Sequence, residues 1–227
     1  MSILKKLAGV LLIPLTRWYL RKERRVEIEG ITITVLPGVF HPGLFPSTRF
    51  LIDHIKSIDL NGKHVLELGC GTGLISIFCF TKGARVVASD ISKLAVENAT
   101  LNSRRRNADI KIVHSDLFDS IPSNPFDLII INPPYYRAAA RNEEELAWNC
   151  GPAFEYFHKL FQQLGHYTHE GGQVIMVLTK GCDIESIVAI ARQNNFRMDV
   201  VREKKVLFDE KDYIFSVAST QLSHAKL

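Results

Sequence analysis

The spacing of hydrophobic and polar positions divides the chain into a part with strand-like alternation and a longer part in which strand and helix patterns alternate. Residues 26–35, VEIEGITITV, alternate at every second position around Glu29–Gly30, which predicts a β-hairpin. From residue 61 onward, short apolar runs are followed by stretches with helical spacing, and this order repeats. Strands that alternate with helices form a parallel sheet with helices on both faces. The pattern therefore predicts an α/β fold with a Rossmann-like, doubly wound, mostly parallel seven-stranded sheet.

The strands of the predicted sheet lie in seven apolar runs: HVLEL, ARVVASD, IKIVHSD, FDLIIINPPY, GGQVIMVLT, RMDVVREKKVLF and YIFSVAS. Helices are predicted over LISIFCFTKG, SKLAVENATLNSRRR, about residues 152–167 and IESIVAIARQNN, with Ser92 as the cap of the second. The last two strands, joined by residues 209–212, are predicted to form a hairpin. This hairpin places an antiparallel C-terminal strand in an otherwise parallel sheet.

The first 25 residues, MSILKKLAGVLLIPLTRWYLRKERR, predict a basic amphipathic helix with a kink at Pro14. A signal peptide is a competing interpretation, but no A-x-A-like cleavage site is present and basic residues stand on both sides of the apolar stretch. The helix either packs on the rest of the domain, which we favour, or lies on an anionic membrane surface or an acidic partner.

Composition limits the classes of protein to which the chain can belong. Its 227 residues are 46% hydrophobic and 23% charged, which fits one globular domain, and no apolar run suits a multi-span membrane protein. The four cysteines form no CxxC pair and the eight histidines show no metal-ligand spacing. We therefore predict no metal, and buried thiols in a reducing, cytoplasmic compartment.

The net charge of +4 is unevenly distributed along the chain. Residues 1–25 hold seven basic residues and one acidic residue, and the remainder holds 21 basic and 23 acidic residues. The body of the chain is therefore slightly acidic, which weakens an interpretation as a nucleic-acid-binding protein based on net charge.

A glycine-rich turn joins the first strand of the predicted sheet to the following helix. Residues 65–75 read VLELGCGTGLI, with Gly69, Gly71 and Gly73 where backbone must approach a ligand closely. Asp90, at the end of the next strand, is placed to accept hydrogen bonds from two ribose hydroxyls. The turn reads G-x-G-x-G rather than the dinucleotide pattern G-x-G-x-x-G, and no P-loop motif is present. Glu67 disfavours a pyrophosphate and favours a cofactor with positive charge, such as S-adenosylmethionine.

A second motif, Asn132–Pro133–Pro134–Tyr135, ends the apolar strand DLIII. Methylation of a planar amide or exocyclic amino nitrogen requires its lone pair to point at the methyl donor. Asn132 Oδ1 and the Pro133 carbonyl are two acceptors for the N–H hydrogens of such a nitrogen. The prolines restrict the backbone, and Tyr135 can stack on a planar group. The alternative interpretation is a strand end stopped by proline, with a packed tyrosine.

Together these motifs resemble those of class I S-adenosylmethionine-dependent methyltransferases, over about residues 36–219. The resemblance implies that Glu67 to Gly73, including Cys70, form the first cofactor motif. It also implies that the remaining cofactor contacts come from Asp90, Ile91, Asp116, Leu117 and Asn132, with Asp116 at the adenine amino group and Leu117 beside the ring.

Two further resemblances concern the acceptor. The NPPY motif resembles the [ND]PP[YF] signature of methyltransferases that act on adenine N6, guanine N2 or the side-chain amide of glutamine. The segment LPGVFHPGLFPSTRFLI resembles the element before the first motif in small-domain methyltransferases. This implies that Phe45 to Thr48, which include Ser47 and Thr48, close over the methionine end of the cofactor; the alternative is a linker that packs on the sheet. Ser47 or Thr48 is also expected to cap a helix over about residues 47–57.

The sequence therefore predicts an S-adenosylmethionine-dependent N-methyltransferase, with protein glutamine slightly preferred to an RNA base as acceptor. A small-molecule acceptor is a further alternative, and a cofactor-binding adaptor that uses the N-terminal helix is the alternative outside enzymes. The acidic triplet Glu143–Glu145 is expected to be a solvated helix start that disfavours phosphate near the site.

The predicted domain organisation has three parts. Residues 1–25 form the N-terminal helix, residues 26–60 form a hairpin and a lid for substrate and cofactor, and residues 61–220 form the cofactor-binding domain. The predicted location is cytoplasmic, with peripheral membrane contact through the N-terminal helix as the alternative.

Overall fold

The computed structural model describes residues 20–179, 181–205 and 211–220. The described strands are β1 (Arg24–Ile28), β2 (Ile31–Val35), β3 (His64–Leu68), β4 (Arg85–Asp90), β5 (Ile110–His114), β6 (Leu128–Ile131), β7 (Gln173–Thr179), β8 (Phe196–Lys205) and β9 (Lys211–Ser219). The described helices are α1 (Pro46–Ile55), α2 (Leu74–Thr81), α3 (Lys93–Arg105), α4 (Glu155–Leu164) and α5 (Ile184–Gln193), with short 3-10 helices at Glu143–Ala147 and Gly165–Tyr167.

Seven of the strands form one sheet in the order β5-β4-β3-β6-β7-β9-β8, and β1 pairs with β2 in a separate antiparallel hairpin. Within the large sheet all pairs are parallel except those of β9, which runs antiparallel to both β7 and β8. The predicted doubly wound sheet with an antiparallel C-terminal strand is therefore confirmed. The chain reverses its direction of winding between β3 and β6, and ligands of such sheets bind at that switch point.

The central strands β6 and β7 are apolar on both faces because helices cover both sides of the sheet there. In β6, Ile129 and Ile131 pack into the core under α4 and α5, while Leu128 and Ile130 pack into the core under α1 and α2. Successive side chains of a strand point to opposite faces, so an unbroken apolar run is what a sheet buried on both sides requires. The packed sheet thus holds the carboxyl ends of its central strands in fixed positions.

The β1–β2 hairpin is fastened to α3 by two buried asparagines. Asn102 accepts a hydrogen bond from the Thr34 amide at 2.8 Å and donates to the carbonyls of Thr34 and Thr72 at 2.8 and 2.9 Å. Asn98 donates to the Thr34 carbonyl and accepts from the Leu36 amide, both at 2.9 Å. Because both side chains are fully enclosed, these bonds fix the hairpin in one orientation against α3.

We expect Asn102→Ala to lower the free energy of unfolding by about 2–3 kcal/mol, because it leaves the buried Thr34 amide without its acceptor. Urea unfolding measures the change, and Asn124→Ala, which alters an exposed side chain, is the control with an expected change below about 0.5 kcal/mol. Equal stability of the two variants would contradict the role given to the asparagines.

Several predicted boundaries move in the structure. The predicted N-terminal helix falls mostly on residues 1–19, outside the described residues, but its last two residues, Arg24 and Arg25, begin β1 instead. The residue at the N-cap of α1 is Phe45, and Ser47 and Thr48 lie buried inside the first turn without capping it. This prediction was wrong because Pro46 already occupies the first helical position, which needs no N–H donor.

Other local predictions hold or shift slightly. Ser92 caps α3 as predicted, accepting a hydrogen bond from the Ala95 amide at 3.2 Å. The helix predicted over residues 152–167 is α4, followed by a 3-10 turn. Asp212, predicted to lie in the last connecting turn, belongs to β9, where it pairs with Thr179 of β7. Among the helices of the described ranges, none is both long enough and apolar enough to cross a membrane.

Candidate functional site

A cleft of about 440 Å³ opens at the carboxyl ends of β3, β4 and β6, at the switch point of the sheet. It brings together side chains that are far apart in the sequence. The predicted site residues that line it are Ser47, Thr48, Glu67, Gly69, Cys70, Gly71, Asp90, Ile91, Asp116, Leu117, Asn132, Pro133, Pro134 and Tyr135. Gly73 is the predicted site residue that lies outside the lining.

Gly73 has a role in packing. It is the N-cap residue of α2, with φ of 75°, and a Cβ atom there would lie 3.1 Å from Ala99 Cβ on α3. A left-handed backbone that also touches a neighbouring helix is a position that glycine alone fills without strain. Gly69 and Gly71 share the left-handed conformation but border the cleft.

Asp90 organises the glycine turn through its carboxylate. Oδ2 accepts a hydrogen bond from the Gly71 amide at 2.9 Å, and Oδ1 accepts one from the Ser92 amide at 2.9 Å. Burial raises the pKa of Asp90, although these backbone bonds oppose the shift. Each oxygen has a second lone pair, so the carboxylate holds the loop and still has acceptor capacity toward the cleft.

Glu67 is a buried carboxyl group on the wall of the cleft, with 4% of its surface exposed. Its Oε2 accepts hydrogen bonds from both the amide, at 2.8 Å, and the hydroxyl of Ser76. Burial raises the pKa of Glu67 to about 8, and the nearby Asp90 adds to the increase. A cation in the cleft would favour its ionised form. Burial also raises the pKa of the Cys70 thiol, so this cysteine is not an activated nucleophile.

Asp116 is held in an ion pair that the sequence did not reveal. Lys159 of α4 lies on the cleft wall, and its Nζ is 2.6 Å from Asp116 Oδ2 and 2.6 Å from Asp119 Oδ2. The two carboxylates raise the pKa of Lys159 although burial opposes them. Leu117, next along the chain, is buried with φ of 52°, a conformation that turns the backbone sharply after Asp116.

Backbone hydrogen bonds join the NPPY motif to the loop that follows it. The amides of Tyr135 and Tyr136 donate to the Trp148 carbonyl at 3.0 and 2.8 Å, and the Cys150 amide donates to the Tyr136 carbonyl at 2.9 Å. Asn132 is half-buried and Pro133 is buried. Burial raises the pKa of Tyr135, so its phenol stays neutral and is unsuited to act as a base.

The acidic triplet has a more specific role than the solvated helix start that we expected. Glu143 reaches across the cleft to the first turn of α3, where Oε1 accepts from the amides of Lys93 and Leu94. A hydrogen bond with Ser92 is the main cause of the lowered pKa of Glu143. The triplet does begin a 3-10 helix, capped by Asn142, but Glu143 closes one side of the cleft.

Two aromatic residues of the cleft wall, Phe40 and Trp148, pack with Phe45 in a cluster that the sequence alone did not reveal. Phe40 and Phe45 stack at 4.9 Å between ring centroids, and Trp148 lies 5.2 and 4.8 Å from them. They join the segment before α1 to the loop after NPPY. Within the described ranges, no group of His, Cys, Asp and Glu side chains is arranged to hold a metal ion.

Comparison with known proteins places this geometry in context. The model of the family described as Methyltransferase small domain matches residues 30–206. A candidate protein N5-glutamine methyltransferase of Methanocaldococcus jannaschii is 31% identical over 193 residues, which cover 82% of this chain and 94% of that protein. A ribosomal RNA large subunit methyltransferase G of Vibrio vulnificus is 31% identical over 141 residues, 60% of this chain but 35% of that protein.

Among solved structures, a 16S rRNA N2 methyltransferase of T. thermophilus, in complex with AdoMet and guanosine, has the same fold. Its TM-score is 0.63 at 20% identity, and the match covers 87% of this chain and 50% of that one. The ribosomal protein L11 methyltransferases of Thermotoga maritima and Thermosipho africanus and the protein of V. vulnificus are longer, and the matches to this chain cover 35–42% of their length.

Proposed function

The chain belongs to the Methyltransferase small domain family and is an S-adenosylmethionine-dependent methyltransferase, and we propose that its acceptor is the side-chain amide nitrogen of glutamine in a protein. The observation that carries this proposal is the match to the candidate N5-glutamine methyltransferase of M. jannaschii. That match covers 94% of the relative and 82% of this chain, so it is not confined to the cofactor-binding part of either protein.

The charge of the cleft residues supports their assignment to the cofactor. Glu67 presents a buried carboxyl group whose two Ser76 hydrogen bonds both go to Oε2, which leaves the lone pairs of Oε1 for a cation. We assign Glu67 to the positively charged methionine end, Asp90 and Ile91 to the ribose, and Asp116 with Leu117 to the adenine. Ser47 and Thr48 line the same cleft and are assigned to the methionine end.

The bound cofactor supplies an electrophilic methyl group. The task of the chain is then to orient a poorly nucleophilic amide nitrogen and to stabilise the charge that develops on it. In our proposal, Asn132 Oδ1 and the Pro133 carbonyl accept the two N–H hydrogens, and the neutral Tyr135 ring packs against the planar amide. The nitrogen gains the methyl group and releases one proton to water, so no strong base is required.

Glu67 gives the site a predicted pH dependence. Its pKa of about 8 means that it binds a proton at pH 7, and a cationic ligand lowers that pKa. We therefore expect cofactor binding to release a proton from Glu67 near pH 7. Affinity should rise with increasing pH, by up to about tenfold per pH unit, and should level off above about pH 8. Glu67→Gln should abolish both effects.

Calorimetry in two buffers of different ionisation enthalpy measures the released proton. The measurement is made near pH 6.5, because the cofactor's own α-amino group titrates near pH 8 and stays protonated there both in solution and when bound to either protein. Glu155→Gln, which changes an exposed cleft residue, is the control that should keep the wild-type behaviour. Proton release that persists in Glu67→Gln would point to Asp90 instead.

Lys159 is expected to act through Asp116. Because its ion pairs are partly exposed, Lys159→Met should raise the cofactor dissociation constant by a modest factor of about five. It should also reduce the preference for S-adenosylhomocysteine over its inosine analogue, which lacks the 6-amino group. Lys56→Met, which removes a lysine that similarly bridges Glu29 and Asp53, should alter neither quantity. Unchanged discrimination in Lys159→Met would reject the assignment of Asp116 to adenine.

An RNA base is the second candidate acceptor, because the ribosomal RNA methyltransferase of V. vulnificus is 31% identical over 60% of this chain. Transfer from tritium-labelled S-adenosylmethionine to separated cell protein and cell RNA distinguishes the two candidates. We expect label in protein, recovered after digestion as N5-methylglutamine. Label in RNA would establish the second candidate, and label in neither fraction would reject both.

A further inference from the structure

Two arginine-rich stretches, about 80 residues apart in the sequence, meet on one side of the molecule. The first is Arg21, Lys22, Arg24 and Arg25, at and before the start of β1, and the second is Arg104, Arg105 and Arg106, at the end of α3. We call these seven residues the hairpin basic surface. Glu23 is the one acidic residue within the two stretches.

The contact between the two stretches passes through Thr34 of β2. Arg25 pairs with Thr34 across the hairpin, and the Arg105 guanidinium donates a hydrogen bond to Thr34 Oγ1. The Asn102 bonds to the same residue, one turn earlier on α3, hold this arrangement. The two basic stretches are therefore held next to each other by strand pairing and by hydrogen bonds to Thr34.

The charges on this surface are available to a ligand. Six of the seven side chains are exposed, and Arg24 is half-buried. Across the described residues, Arg25, Arg104 and Arg106 have no carboxylate within ion-pairing distance. The hairpin is fixed by asparagines and apolar packing, so these arginines are not needed to hold it. Clustered like charges repel one another, and a bound polyanion would relieve that repulsion.

We propose that the hairpin basic surface binds the phosphate backbone of RNA. Six of its seven basic residues are arginines, whose planar guanidinium groups match phosphate oxygens in pairs. A bilayer surface is a poorer match because interfacial binding also needs apolar side chains to insert. The exposed large apolar residues of the described chain, Leu44, Ile91, Tyr136, Val200 and Val201, all lie outside these two stretches.

RNA bound here would serve either acceptor. The hairpin continues directly into the segment that carries Phe40 to the cleft wall, so the basic surface and the cleft are connected through that segment. The mouth itself is lined by Glu143 and Glu155 and does not favour phosphate. The surface would therefore hold the RNA of a ribonucleoprotein while the cleft receives an amide or a base. RNA binding is measured without cofactor or methyl transfer, so its failure is distinct from failure of the proposed function.

The test is fluorescence anisotropy of the full chain with a labelled 20-base-pair RNA duplex, over a range of salt concentrations. The variant Arg25→Ser/Arg104→Ser/Arg106→Ser removes three exposed cations. We expect it to weaken binding about tenfold or more at 100 mM salt, and to lower the slope of log affinity against log salt by about two to three. Its thermal melting should match that of the wild type.

A matched control removes three other exposed cations with the same change in net charge: Arg49→Ser/Lys82→Ser/Arg192→Ser. We expect this control to bind RNA within about twofold of the wild type. Replacement of Arg25, Arg104 and Arg106 by lysine should keep the salt slope, since the charges remain. Vesicles of phosphatidylserine and phosphatidylcholine provide the competing polyanion. Equal RNA binding by the two serine variants, or binding to vesicles but not to RNA, would overturn the proposal.

Discussion

Replacement of Asn132 by alanine is expected to lower kcat by about a hundredfold or more while the cofactor dissociation constant stays within about twofold. The proposed acceptor bond from the amide nitrogen to Asn132 Oδ1 strengthens as that nitrogen becomes positive, so its loss falls mainly on the transition state. Removal of one positioned donor from an oxyanion hole costs a similar factor. Asn132 is half-buried, and the backbone after it is fixed by Pro133 and by the hydrogen bonds to the Trp148 carbonyl. We therefore expect the loss of the side chain to leave the backbone in place.

Calorimetry with S-adenosylmethionine and single-turnover methyl transfer measure the two quantities separately. Asn149→Ala is the matched control, because Asn149 lines the same cleft but has no assigned contact with the acceptor nitrogen. We expect the control to lose less than about threefold in kcat. Full transfer activity in Asn132→Ala, with cofactor bound, would mean that the acceptor is oriented by other groups.

Replacement of Asp90 by alanine is expected to weaken cofactor binding by about a hundredfold. The Asp90 carboxylate holds the amides of Gly71 and Ser92, and in our assignment it also accepts hydrogen bonds from the ribose. Hydrogen bonds to a charged group contribute about 1.5–3 kcal/mol each, and about 2.7 kcal/mol corresponds to a hundredfold change in the dissociation constant. Isothermal titration with S-adenosylhomocysteine gives the affinity directly.

The control is Asp199→Ala, which removes an exposed aspartate of β8 that pairs with Arg197, far from the cleft lining. Its affinity should match that of the wild type. Asp90→Asn is informative as well. The oxygen of the asparagine side chain can accept a hydrogen bond from one of the two backbone amides, but its NH2 group would face the other backbone amide, which is also a donor. We expect this variant to bind with intermediate affinity. If Asp90→Ala bound the cofactor as tightly as the wild type, the ribose assignment would be wrong.

The two predictions separate the halves of the cleft. Asn132 ends β6 and belongs to the acceptor side, whereas Asp90 ends β4 and belongs to the cofactor side. The structure joins the halves through Glu143, which follows NPPY in the chain but binds the first turn of α3 just after Asp90. A movement of the loop after NPPY can therefore be passed to the start of α3, next to Asp90, through the Glu143 side chain.

Much of the fold was predictable because it depends on neighbours in the sequence. Apolar runs such as LIII in β6 identify strands buried on both faces, and the order of strands and helices then identifies the parallel sheet. The glycine turn and NPPY were recognisable because each motif places its chemistry within a few consecutive residues. The position of both at strand ends was sufficient to predict that they would line one cleft.

The errors and omissions concern contacts between distant segments. The cap of α1 was misplaced because Pro46, Ser47 and Thr48 are all acceptable near a helix start, and the approach of the chain decides which is inside. The sequence predicts a solvated Glu143 because its partner amides lie 50 residues away in the chain. Lys159 is an ordinary helix residue until α4 packs beside Asp116.

The sequence by itself determined the sheet, the cofactor class and the two motifs that border the cleft, because periodicity and short motifs are local properties of the chain. Only the tertiary structure decided the pairing of Lys159 with Asp116, the aromatic cluster of Phe40, Phe45 and Trp148, and the contact of Arg25 and Arg105 with Thr34. Each of these depends on where two separate segments are brought together, and a side chain's spacing along the chain carries no information about a partner that only packing supplies.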